Sequence, residues 1–299
     1  MSQHNQTKSG VINAICAYTL WGIAPIYFKL IQHISASEIL MHRIVWSFAL
    51  LALIILVMGK WSKVQTILSQ PKTLMWLGGT ALILAANWLI FIWAVNNGHI
   101  LEASLGYYIN PLLNVALGMI FLGERLSKWQ IVSVALALIG VMIQLLSLGS
   151  VPVIALSLAA SFGIYGLLRK KLMVDSLAGL FVESAWLLPI ALLYWMVFLN
   201  SPTSNFANNP MDLNTLLIAA GIVTTAPLLF FTGAAKRLTL ATLGFFQYIG
   251  PSIMFVIAIS VYQEPLVMEK LVTFGFIWSA LVIYSLDSYR KHRNNKKRI

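Results

Sequence analysis

Charge is scarce in this chain: only 10% of its 299 residues are charged, against about 25% in an average soluble protein. Acids are scarcer still, nine Asp and Glu in all. The single cysteine, Cys16, excludes an intrachain disulfide and a cysteine-based metal site. No phosphate-cradling glycine loop, HExxH, GxSxG or CxxC occurs, and the five histidines are scattered. No nucleotide site, metal or cofactor is therefore expected, and the chain does not read as an enzyme. No polar stretch is long enough for a separate soluble domain; the longest, Asn200 to Asp212, reads as a loop.

What fills the chain is apolar: 59% of it is hydrophobic. A helix crosses the hydrocarbon of a bilayer with about 20 residues. Ten runs have that length: Val11–Ile31, Ile39–Met58, Leu74–Val95, Leu101–Leu122, Trp129–Leu148, Pro152–Leu168, Ala178–Phe198, Leu213–Ala234, Ala241–Val261 and Leu271–Leu286. The first is too long for a cleavable signal peptide, and a second follows closely. Most connections are short, so neighbouring helices should pack antiparallel. Of the 20 Lys and Arg, 17 fall in alternate loops and the two tails, and one, Lys270, in the other loops. Lys29 and Arg43 remain inside or at the ends of runs. The positive-inside rule makes both termini cytoplasmic in a multi-pass protein. The net charge of +11 thus reflects topology and anionic lipid, with no nucleic acid as partner.

The chain resembles itself at a shift of about 140 residues. WGIAPIYFKL from Trp21 aligns with FGIYGLLRKK from Phe162, and Arg43 and Trp46 fall on Glu183 and Trp186. LGYYINP from Leu105 aligns with LGFFQYIGP from Leu243. Pro111 to Glu124 and Pro251 to Glu264 are both 13 residues. Two halves follow, 10–148 and 150–288, with a basic tail at 289–299. Five spans is an odd number, so the second half enters from the opposite side. The predicted fold is all-α, with ten transmembrane helices as two inverted five-helix repeats, an architecture suited to alternating access.

Pro111 and Pro251 each stand about halfway along a span. Proline removes a helical hydrogen bond, and lipid cannot satisfy the carbonyls of Tyr107 and Gln247 that result. Both prolines are expected to break their helices, as is Trp21-Gly22-x-x-Pro25 in the first span. Tyr107, Tyr108, Asn110, Phe246, Gln247 and Tyr248 crowd that level, and Asn87 and Trp88 join them from span three. The expectation is a midplane cavity lined by aromatic faces and amides. It would suit a small amphipathic or aromatic solute.

A charge at a helix centre costs about 2.5–3.5 kcal/mol on insertion scales. Arg43 lies inside span two toward the outer side, Glu183 inside span seven toward the inner side. Arg43 with Glu38 is a candidate outer gate or ion pair, with Lys29 close to Glu38 at the same mouth. A protonatable carboxylate such as Glu183 is a candidate proton carrier, which adds protons to a small-molecule substrate and the lipid bilayer as partners. Glu124 ends span four, where an acid is disfavoured by the helix dipole, so a partner such as Arg125 or Lys128 is expected.

The segment GYYINPLLNVALGMIFLGERLS, followed by Gly140-Val141, resembles the proline-to-GlyGlu signature of the EamA branch of the drug/metabolite transporter superfamily. WGIAPIYFK, EILMHRIVWSF, NWLIFIWAVNN, EASLGYYINPLLNV, GIVTTAPLL and LGFFQYIGP resemble the RarD-type proteins within it. In the second half YQEP replaces the GlyGlu ending. The resemblance covers essentially the whole chain. It implies ten helices in two inverted halves, a bacterial inner-membrane location and export of small metabolites or drugs. The expected function is a secondary transporter. A membrane-embedded enzyme or sensor is the rival from another class, and a channel-like facilitator the nearer one.

Overall fold

The computed structural model describes residues 3–97, 99–148, 151–199, 201–263 and 268–296. In chain order the helices are α1 (Gln3–Leu30), α2 (Ala36–Val57), α3 (Trp61–Leu68), α4 (Pro71–Asn96), α5 (Ile100–Leu122) and α6 (Lys128–Leu148). There follow α7 (Val153–Leu172), α8 (Ser176–Leu193) with a π-turn at Tyr194–Phe198, α9 (Met211–Ala235), α10 (Leu240–Gln247), α11 (Ile249–Ser260) and α12 (Met268–Lys296). Among the described residues ten spans are long and apolar enough to cross a membrane, α10 and α11 together forming the ninth. Each coincides with an expected run to within a few residues at its core. Leu56, Val57, Ile120, Leu146 and Met196 are all more than 65% exposed, which a water-facing surface would not sustain but a lipid-facing one requires.

The differences lie at the ends. Helix α1 starts eight residues early, and α12 continues through the basic tail to Lys296. The basic stretch after span two holds an unforeseen amphipathic helix, α3, which buries Val64 and Ile67 and exposes the rest. Helix α7 runs on to Leu172, past the expected end at Leu168. Helix α1 passes through Pro25 and α5 through Pro111 without interruption. Among the described residues span seven turns from α to π at Tyr194, and span nine is interrupted near its middle, at Tyr248. There Pro251 occupies the first turn of α11, where its missing N–H is one that a helix start leaves unpaired anyway.

The contacts between the two halves follow a rule. Span four lies against span six, and span nine against span one. Span three lies against six and seven, and span eight against one and two. Spans two and seven, four and nine, and five and ten face each other. Exchanging the halves turns this set into itself. Small residues permit the closest approaches. A Cβ at Gly244 would lie 2.7 Å from the Pro111 carbonyl oxygen, and one at Gly221 2.5 Å from the Trp46 carbonyl carbon.

Candidate functional site

Helix α2 begins at Ser35, whose hydroxyl accepts from the Glu38 N–H at 3.3 Å, the first half of a capping box. The Glu38 carboxylate does not turn back to complete it. It is fully buried, and accepts from Thr203 Oγ1 at 2.7 Å across the long loop before span eight. Five residues further on, Arg43 points elsewhere. Its Nε donates to Thr224 Oγ1 on α9 at 2.8 Å. Its guanidinium carbon stands 4.6 Å from the Trp88 ring centre and 5.7 Å from that of Phe28. The expected Arg43–Glu38 pair is therefore absent. Lys29 does not reach Glu38 either; its Nζ sits 3.6 Å over the Tyr262 ring.

Arg43 and Glu183 line one cavity between spans two, three, seven and eight, together with Ser47, Trp88, Ser184 and Thr225. Its volume is about 30 Å³ of space open to water centres, room for a few atoms only. Glu183 is 3% exposed and fully engaged. Oε1 accepts from Thr80 Oγ1 at 2.6 Å and lies 3.5 Å from Arg169 Nη1; Oε2 accepts from Tyr165 OH at 3.4 Å. Arg169, expected in a cytoplasmic loop beside Lys170 and Lys171, is instead inside α7 and 1% exposed. Lys170 is also turned inward, donating to the carbonyls of Ala235 and Leu238. Extending α7 by one turn is what carries these two cations into the protein.

The residues expected to line a midplane cavity separate into two groups. Trp88 does line the cavity, and Tyr107, 39% exposed, stands within electrostatic reach of Arg43. Asn87 donates to the Leu158 carbonyl and to Ser161 Oγ, fastening span three to span six. Asn110, Gln247 and Tyr248 are buried at the crossing of spans four and nine rather than facing open space. Asn110 Nδ2 donates to the Ala159 carbonyl; Asn114 Nδ2 donates to Asn110 Oδ1 and Gln247 Oε1. Tyr248 OH donates to the Tyr108 carbonyl at 3.2 Å. The Tyr108 ring packs on Phe274 at 5.7 Å, and Phe246 packs against the apolar core that residues of both halves build together. Three of these bonds, from Asn110, Asn114 and Tyr248, cross between the halves, and a low-dielectric interior favours such pairing.

Glu124 finds its partner in the other half, and the partner is neither Arg125 nor Lys128. Gly123 ends α5 with φ at 65°, a left-handed conformation that favours glycine. The chain then swings so that Glu124 Oε1 accepts from the Leu240 N–H at 2.6 Å and Oε2 from the Ala241 N–H at 2.9 Å. The acid that ends span four thus caps the start of span nine, where the helix dipole favours a negative charge. Gly118 leaves room for it, since a Cβ there would come 2.5 Å from Oε2. The equivalent Glu264 lies outside the described residues.

Sequence reading passed over Arg169, Thr80, Tyr165, Thr224 and Asn114. Asn114 carried a signal, being one helical turn from Asn110. Thr80 and Thr224 carried none that distinguishes them from ordinary membrane threonines.

Comparison with known proteins gives this geometry a context. The sequence profile described as the EamA-like transporter family matches residues 8–146. An uncharacterized transporter of Vibrio cholerae is 58% identical over 283 residues, covering 95% of this chain and 94% of that protein. Protein RarD of Escherichia coli is 52% identical over 292 residues, 98% and 99% of the two chains. The chloramphenicol-sensitive protein RarD of Pseudomonas aeruginosa is 30% identical over 295 residues, 97% of each. A solved crystal structure superposes with a TM-score of 0.73, covering 94% of this chain and 98% of its own, at 16% identity; that likeness concerns the fold. With more than half its residues shared along nearly the whole length of such relatives, this multi-pass membrane protein belongs to the EamA-like transporter family and is of the RarD type.

Proposed function

We propose that the protein is a secondary transporter that moves a small amphipathic or aromatic solute out across the bacterial inner membrane by alternating access. Both termini are cytoplasmic in this reading, and the two five-helix halves are inserted in opposite directions. One observation carries it. Arg43 and Glu183, equivalent positions of the two halves, face the same cavity at the seam between spans two, three, seven and eight. Inverted repeats place their working groups at such a seam, because exchange of shape between the halves opens it first to one side and then to the other. Trp88 and Tyr107 supply the aromatic surface, and Pro111 with Pro251 shapes the nearby crossing of spans four and nine.

Glu183 is the coupling carboxylate in this scheme, held by Thr80, Tyr165 and Arg169. Protonation competes with Arg169 for it, so proton uptake and the pairing of spans six and seven are linked. Glu38, with its hold on Thr203, fastens the outer loop over span two.

Counterflow in proteoliposomes tests the proposal. Purified protein should catalyse saturable exchange of an aromatic solute loaded inside against the same labelled solute outside. Flux that rises linearly with concentration identifies a channel-like facilitator instead. No flux for any solute among aromatic acids, their amides and chloramphenicol removes the transport reading.

A further inference from the structure

Arg43 is a cation without a counter-charge. Among the described residues the ion pairs are Lys63–Asp175, His99–Glu102 and Arg169–Glu183. Glu38 is bound to Thr203, and Glu183, although it lines the same cavity, is held by Arg169, Thr80 and Tyr165. A guanidinium carries five N–H donors in a planar fork. Among the described residues its one hydrogen bond runs from Nε to Thr224. Arg43 stands about 10 Å along α2 from its start, where an unneutralised charge costs about 2.5–3.5 kcal/mol or more. Aromatic rings surround it: its guanidinium carbon lies over Trp88, 4.6 Å from the ring centre, and over Phe28 at 5.7 Å. A second polar group waits in the same cavity. Thr225 is 2% exposed, lines the cavity and has no hydrogen-bond partner for its hydroxyl among the described residues.

The geometry points to Arg43 as the anion-binding residue of the transport site, and to a monoanionic aromatic carboxylate as the class of substrate. This rests on the transporter reading given above and specifies its substrate. A planar fork matches a carboxylate through two parallel N–H···O bonds, and the Thr225 hydroxyl is placed to supply a third donor. Charge balance selects a monoanion. Arg43, Arg169 and Glu183 together carry one net positive charge. One carboxylate brings the cluster to zero, whereas a phosphate dianion overshoots, because the second arginine is held by Glu183. The apolar part of the ligand meets Trp88 and the leucines at 51, 84 and 228, which complete the cavity wall. At its present width the cavity takes a head group only. The ring needs the helices to part, the motion that the proposed cycle supplies.

Titration calorimetry on the intact protein in nanodiscs tests this with benzoate, 3-phenylpropionate and indole-3-acetate, each against its own amide, and with phenyl phosphate. At least one acid should bind with a Kd ten or more times lower than its amide. Arg43→Gln should erase that difference, and Arg43→Lys should keep part of it. Equal binding of acid and amide by the unaltered protein overturns the inference without reference to any variant. So do an absence of binding by all three acids, a preference for phenyl phosphate, and a preference for acid that survives in Arg43→Gln. Counterflow of the same probes separates the two proposals. Acids bound through Arg43 but never exchanged would refute transport and leave the anion site standing. Exchange of the acids at equal rates in Arg43→Gln and the unaltered protein would do the reverse.

Discussion

Replacing Gly118 by alanine should unseat the carboxylate that begins span nine. The new methyl group would stand 2.5 Å from Glu124 Oε2 and 3.0 Å from its Cδ, well inside contact distance, so the side chain must leave. Two charge-assisted bonds go with it, at 2.6 and 2.9 Å. Loss of a helix cap costs about 0.5–2 kcal/mol, and leaving partly buried N–H groups unpaired puts the total near the upper end, about 2 kcal/mol. For a protein of this size that is a fall in Tm of roughly 4–8 °C. The informative measurement is a double-mutant cycle followed by thermal unfolding in detergent. With Glu124→Ala as background the obstruction is gone, and the nearest remaining neighbour is Leu240 Cβ at 3.3 Å. Gly118→Ala should then stabilise, by about 0.5–1 kcal/mol, because alanine is the better helix former. A reversal of sign between backgrounds is the expected result. Destabilisation of the same size in both would refute the account of Gly118 as clearance for Glu124.

Glu183→Gln should abolish flux driven by a proton gradient and destabilise the protein by about 3–5 kcal/mol, since it leaves Arg169 buried and unpaired. Adding Arg169→Met should restore most of the stability but none of the proton coupling; coupling that persists in either variant removes Glu183 from that role. Gln247→Ala should impair exchange while the protein still elutes as a folded species, because it cuts the amide link from Asn114 across the halves; normal flux would separate the crossing of spans four and nine from transport. Asp175 caps α8 through the Leu177 and Ala178 N–H groups and pairs with Lys63 at 2.8 Å. Burial pushes its carboxyl up, but the Lys63 and Ala178 hydrogen bonds and the charges of Lys63 and Lys236 outweigh that and hold it below its ordinary value of 3.8. A depressed carboxyl stabilises the fold above its unfolded-state value and loses that contribution as pH falls through the folded one. Asp175→Asn keeps the cap and loses the pair. It should therefore cost under about 1 kcal/mol at neutral pH, and the cost should shrink as the pH is lowered into the range where the carboxyl protonates, read as the difference in Tm across that range. A constant difference would show that the charge is irrelevant.

The ten spans were legible because a bilayer sets a minimum apolar length, and nothing in soluble folding mimics ten such runs. Arg43 and Glu183, which align in the sequence, line one cavity. Partners were not legible. Arg169 sits beside two lysines in a stretch that reads as loop, and only the extra turn of α7 makes it an interior cation. Glu124 was recognised as an acid at an unfavourable helix end. The N–H groups that compensate it come from residues 116 and 117 positions later, which no local pattern announces. Pro111 read as a break because a missing N–H and a ring clash usually end a helix. Here the backbone stays helical, and Gly244 from span nine presses against the proline carbonyl.

Gly221 approaches the Trp46 backbone so closely that even a methyl group would not fit between spans two and eight, and Ser47 Oγ donates to the Gly221 carbonyl at 3.3 Å. Those two rods come from different halves of the chain, yet their backbones touch at this level. Any moving body must therefore take segments from both repeats, like two hands with interlocked fingers. A cut of the polypeptide between the repeats, at residues 149–150, would sever no such body, so separately expressed fragments 1–148 and 151–299 should assemble with each other far more readily than either does with itself.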